Sequence, residues 1–137
     1  MKKLLLSIIL LVLLIPVRAQ EFYGLPEKTI RAVMARDFPQ LTSDNAVRND
    51  LYRYVKYHSA DDNETWLIFL DESGRCNGVR ITYSSNLYDA KIRELNEKYS
   101  YDKDGIWKYR MGRDLITVRV QRDAWFFTVT HERIHHT

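Results

Sequence analysis

The sequence predicts an α+β fold: an antiparallel sheet with two helices on one face, in the order α-β-β-β-α-β-β-β. Three observations lead there. Two segments repeat apolar residues at the period of a half-buried helix. Six shorter segments alternate apolar and polar residues, as a strand with one wet face does. The links between most of these strands are short, which favours antiparallel neighbours, and one clean face per strand favours helices on one side.

The first helix is read in LPEKTIRAVMARDFP. Pro26 suits the first helical position and Glu27 the positive N-terminal end. Ile30, Val33, Met34 and Phe38 form its apolar stripe, and Pro39 stops it. QLTSDNAVRND then reads as loop. LYRYVKYHS and TWLIFLD are strands separated by the polar loop ADDNE. ESGR turns the chain into CNGVRITYS, where Val79, Ile81 and Tyr83 share one face and Arg80 and Thr82 the other. The second helix is SSNLYDAKIRELNEKYS, with Asn86 as its N-cap. Its stripe is Tyr88, Ile92, Leu95 and Tyr99, and Glu94 and Lys98 form an i, i+4 pair on its wet side. SYDKDG breaks this helix. IWKYRM, LITVRVQ and WFFTVTHE complete the sheet, the last with Trp125, Phe127 and Val129 on one face.

The chain opens with MKK, an apolar run from Leu4 to Ile15, and PVRA. This is the layout of a secretory signal peptide, with cleavage after Ala19 and Val17 at the −3 position. The run is about 12 residues, against about 20 for a spanning helix. Residues 1–19 are therefore expected to be a signal peptide and residues 20–137 a single α+β domain that is secreted or periplasmic and has no transmembrane segment. The alternative is an uncleaved N-terminal anchor. Of 21 basic residues, Lys2, Lys3 and Arg18 leave with the signal, and 18 remain against 18 acids. A neutral mature chain lacks the basic surplus of a nucleic-acid binder. Cys76 is the only cysteine, so no disulfide forms within the chain and a buried place on a strand is expected for it.

The only enzyme-like string is His131-Glu132-Arg133-Ile134-His135, which spells the zinc-protease motif H-E-x-x-H. That motif works on a helix, where histidines four apart reach one ion and the Glu acts as base. Here the preceding residues are strand-like, and a continued strand holds His131 and His135 about 13 Å apart. The expectation is that His131 finishes the last strand and that the tail is polar and frayed, with no metal and no cofactor. Asp102 and Asp104 start like a calcium loop but lack its glycine and terminal Glu. Asn63-Glu64-Thr65 is a glycosylation sequon, meaningful only in a eukaryotic secretory route.

Alternation places Arg80, Lys108, Arg110 and Arg119 on the polar side of the sheet, with Arg53 a further candidate. If their strands are neighbours, they form a local basic patch for an acidic partner or an anionic envelope polymer. Of Tyr52, Tyr54, Trp66, Trp107, Tyr109 and Trp125, most are expected in the core. A few at a sheet edge would make an aromatic binding surface.

The export signal ending in AQ, followed by LPEKTIRAVMARDFP, resembles the opening of PepSY-like secreted bacterial proteins, through Leu25, Pro26, Val33, Phe38 and Pro39. FLDESGRCNGVRITYS, IRELNEKYS and GIWKY resemble uncharacterised small secreted proteins of Bacteroidetes-type bacteria. The resemblance implies a non-enzymatic, exported binding or inhibitor-like module whose partner is another envelope or secreted protein. Two other classes stay open. One is a small envelope hydrolase, including a zinc protease using the C-terminal string. The other is a subunit of an envelope assembly, which should leave an exposed apolar edge strand.

Overall fold

A computed structural model describes residues 22–44 and 51–134. The expected export signal, His135 and His136 lie outside the described residues. Helix α1 spans Glu27–Asp37, and Pro26 precedes it in extended backbone, at the cap and not at the first helical position. Ile30 and Met34 are buried, and Val33 and Phe38 pack against the same core. Four strands follow: β1 (Leu41–Asp44), β2 (Arg53–Ser59), β3 (Glu64–Leu70) and β4 (Cys76–Ser84). A short 3-10 turn, Ser85–Leu87, leads into α2 (Tyr88–Lys98). Asn86 therefore lies in that turn, and Leu87 caps α2 without a side-chain bond. The second set is β5 (Ser100–Lys103), β6 (Ile106–Met111), β7 (Asp114–Arg122) and β8 (Phe126–Arg133).

Each half thus has four strands, not the three expected. The additional strands, β1 and β5, are four residues each and carry the polar sequences LTSD and SYDK. All eight strands form one antiparallel sheet in the order β1-β2-β3-β4-β8-β7-β6-β5. β1 and β5 are its two edges, and short polar edges resist pairing with other chains. The β5–β6 hairpin turns on Asp104 and Gly105, both with positive φ, between the paired residues Lys103 and Ile106. Two left-handed residues in a two-residue loop make a type I′ turn, for which Asp-Gly is a preferred pair.

Two four-strand meanders meet along β4 and β8, where residues 78–84 lie opposite 126–132. One buried cluster spans both: Ile30, Met34 and Leu95 from the helices join Trp66, Ile68, Ile81, Trp107, Val118 and Phe127 from the strands. Phe22, fully buried, sits within ring-contact distance of Phe38 and Trp66. Trp125 departs from expectation. The strand begins after it, at Phe126, and Trp125 is 83% exposed.

Phe127 stacks on Tyr83 of β4 at 5.3 Å and meets Tyr88 of α2 edge-on at the same distance. Its removal opens a cavity at the junction of the halves. Phe127→Ala is expected to cost about 3–5 kcal/mol. Urea unfolding followed by far-UV circular dichroism and by tryptophan fluorescence checks this. Both probes should give one coincident, lowered transition, because Trp66 and Trp107 lie in different meanders of one core.

Candidate functional site

One face of the sheet carries the polar alternates. A continuous cross-strand row runs Asp44, Lys56, Leu67, Arg80, Thr130, Arg119, Ile106, Lys103, each residue opposite the next. Arg80 and Arg119 thus lie in the same row, separated only by Thr130 of β8. Two strand spacings put their backbones about 10 Å apart. The adjacent row runs Tyr54, Phe69, Gly78, Glu132, Thr117, Lys108.

The four residues expected to form the basic patch do not behave alike. Lys108 pairs with Asp102 of the edge strand at 3.0 Å. At the other edge Lys56 pairs with Asp44 at 3.5 Å. The two central arginines, Arg80 and Arg119, are exposed and make no ion pair among the described residues. Glu132 shares their face but forms no ion pair with either. Arg110, opposite Leu115, lies further along β6 and outside the Arg80–Arg119 row. Arg53 shares its side of β2 with buried Val55 and Tyr57 and stays out of the row.

The Arg80 guanidinium lies 5.7 Å from the centre of the Phe69 ring, which meets Tyr54 edge-on at 6.3 Å. Sequence reading passed over Phe69, although its alternation with Ile68 and Leu70, both buried, was a signal that it faces outward. Beside Phe69 and Tyr54 a depression of about 540 Å³ is lined by Leu51, Tyr52, Phe69, Glu72, Gly78 and Thr130, among others. Leu51 and Tyr52 are 84% and 63% exposed at its margin. Of the aromatic set, Trp66 and Trp107 are core, Tyr109 packs against the core, and Tyr52, Tyr54 and Trp125 stay outside it.

The H-E-x-x-H string falls in and beyond β8. His131 lies in the last strand, as expected, with β8 running two residues further to Arg133; it is 4% exposed, in a central strand. Strand alternation sends His131 to the core side with Phe127 and Val129, and Glu132 to the open face. The base and the first ligand of the string are therefore on opposite faces, and His135 lies outside the described residues. Among the described residues no group of three His, Cys, Asp or Glu side chains could hold a metal ion.

The His131 Nδ1 is 3.3 Å from the Tyr109 hydroxyl, and the Tyr99 and Tyr109 rings approach the imidazole edge-on. Burial, and secondly the positive charge of Lys98, lower its pKa to about 4. Cys76 is buried as expected, and burial pushes its thiol up to about 11, so it is a protonated packing residue at neutral pH.

Compared with known proteins, the chain matches no family model, no curated protein and no solved structure.

The His131 shift has a definite sign. The unfolded imidazole, with a pKa of 6.5, binds a proton more readily than the folded one. Its contribution is complete above pH 6.5 and is lost as pH falls from 6.5 toward 4. Unfolding free energy should fall in that window by up to about 1.4 kcal/mol per pH unit. Asp61 and Asp71, whose carboxyls are held below 3.8 by hydrogen bonds from Ser59 and Ser73, act mainly below the window. Urea titrations of the native chain and His131→Phe should show the slope in the first and a flattened profile in the second.

Proposed function

We propose that the chain is an exported, non-enzymatic binding module, inhibitor-like in mode, which docks a partner protein on the open face of its sheet. Ile30, Met34 and Leu95 of the two helices join the buried cluster on the other face, which leaves the polar face for docking. The observation that carries this reading is the unequal treatment of the basic residues: edge-strand carboxylates neutralise Lys56 and Lys108, while Arg80 and Arg119 between them have no ion pair among the described residues. An arginine fork without an acid on a flat sheet suits a carboxylate from a partner. Phe69, Tyr54, Leu51 and Tyr52 supply apolar contact beside it, the combination that anchors interfaces. The partner chemistry is an acidic side chain next to an apolar anchor, on another envelope or secreted protein. The PepSY-like opening and the signal-like N-terminus support the exported setting. Export predicts a mature N-terminus at Gln20, which intact mass of the protein from the native host would read.

The binding experiment is a quantitative pull-down from the native envelope fraction with the mature chain as bait. Arg80→Glu and Arg119→Glu together should remove the captured protein while leaving the unfolding midpoint unchanged. Arg36→Glu on exposed α1 should have no effect. Equal capture by the double variant and the wild type would sink the docking face.

A further inference from the structure

We propose that the cleft on the helix-bearing side of the sheet binds a small carboxylic acid with an apolar body, its carboxylate accepting a hydrogen bond from His131 Nε2. This site is separate from the open face and does not depend on the docking reading.

The cleft lies over β3, β4 and β8, between the residues that follow α1 and the length of α2. Its volume is about 360 Å³, within the range of small-molecule sites. Trp66, Ile81, Tyr83 and Val129 line it from the sheet, and Phe38 and Leu95 from the helix layer. Glu64 is engaged with the Trp66 indole N–H at 2.6 Å. His131 stands beside Val129 on the sheet side of the cleft; Gln40, the tyrosines Tyr83 and Tyr99, and Lys91, Glu94 and Lys98 on α2 supply its other polar groups.

Among the described residues His131 Nε2 has no hydrogen-bond partner: the ring's one bond is between Nδ1 and the Tyr109 hydroxyl. Yet among the described residues no side-chain nitrogen or oxygen sealed from solvent lacks a partner. Nε2 therefore keeps a small accessible surface, and the proposal assigns that surface to the cleft His131 lines on the core side of the sheet. Among the described residues the Tyr109 hydroxyl bonds only Nδ1, and the proposal takes its O–H as the donor there, which puts the ring proton on Nε2. The floor thus presents one N–H donor in apolar surroundings. Lys91 and Lys98 add two cationic donors, both held by Glu94, at 3.2 and 2.6 Å. Two lysines share the Glu94 carboxylate, and the other lining acid, Glu64, is held by the Trp66 indole, so an entering carboxylate finds its cationic partners on α2. The aromatic and branched lining matches an aryl or short alkyl body.

The test uses 3-phenylpropionate and its amide, 3-phenylpropionamide, with the full mature chain. Long-range nitrogen–proton NMR spectra report the His131 Nε2 and Nδ1 signals, and the Trp66 indole reports the floor. The acid should give a saturable shift of both at millimolar concentration, with the amide about tenfold weaker. His131→Phe keeps a ring without the donor, and Lys98→Met changes an exposed helical position and leaves the core intact. Each should weaken binding of the acid about tenfold, read for the first from Trp66 and for the second from both signals. The proposal is overturned by the absence of a saturable shift, by equal binding of acid and amide, or by undiminished binding in both variants.

Discussion

β4 and β8 are the last strands of two meanders, and nothing local in the chain brings them together. Their ladder sets residues 78–84 against 126–132, across the whole of the second helix and three intervening strands. Without it there are two four-strand sheets, each with a helix and half a core. With it, the sheet has eight strands, Phe127 stacks on Tyr83, and one apolar cluster runs through both halves. The ladder also decides which strands are exposed at the edges. Once β4 and β8 are interior, β1 and β5 are the ends. A pairing of such long sequence separation is reached late, because loop closure must come before its contacts form.

The same constraint separates what could be read along the chain from what could not. The strands β4 and β6 were legible to the residue because their alternation is clean and their turns are marked. β1 and β5 were not, since LTSD and SYDK carry too little apolar alternation to register as strands. Their polarity is the edge's protection, so the property that hid them is the property that makes them useful. One signal was there to be used: Asp104-Gly105, a preferred hairpin pair, directly before an alternating strand. Trp125 misled because it keeps phase with Phe127 and Val129 while lying just outside the strand.

At the open face, alternation was enough to turn Arg80, Lys108, Arg110 and Arg119 outward. It could not say that β8 separates β4 from β7, and so could not align Arg80 with Arg119 across Thr130. Nor could it see that Lys108 is neutralised, because its partner Asp102 sits on the unforeseen β5. Linear reading gives the direction of a side chain. Its neighbours across the sheet come from strand order, which is a global property.

Position in the sheet also bears on how a partner can engage. An assembly subunit that adds strands to a neighbour needs a long apolar edge with free backbone groups. Here both edges are four residues long. β5 is exposed throughout, with Ser100, Asp102 and Lys103, and β1 buries only Leu41. Strand addition at either end would gain few hydrogen bonds and would compete with the Lys56–Asp44 and Lys108–Asp102 pairs that tie the edges in place. The broad central surface has the opposite character. Its backbone is paired within the sheet, and it offers side chains: threonines, two arginines with no ion pair among the described residues, and an aromatic cluster. A surface of that kind recognises shape and charge, not a free strand. The proposed face docking therefore fits this arrangement of edges and centre better than strand addition does.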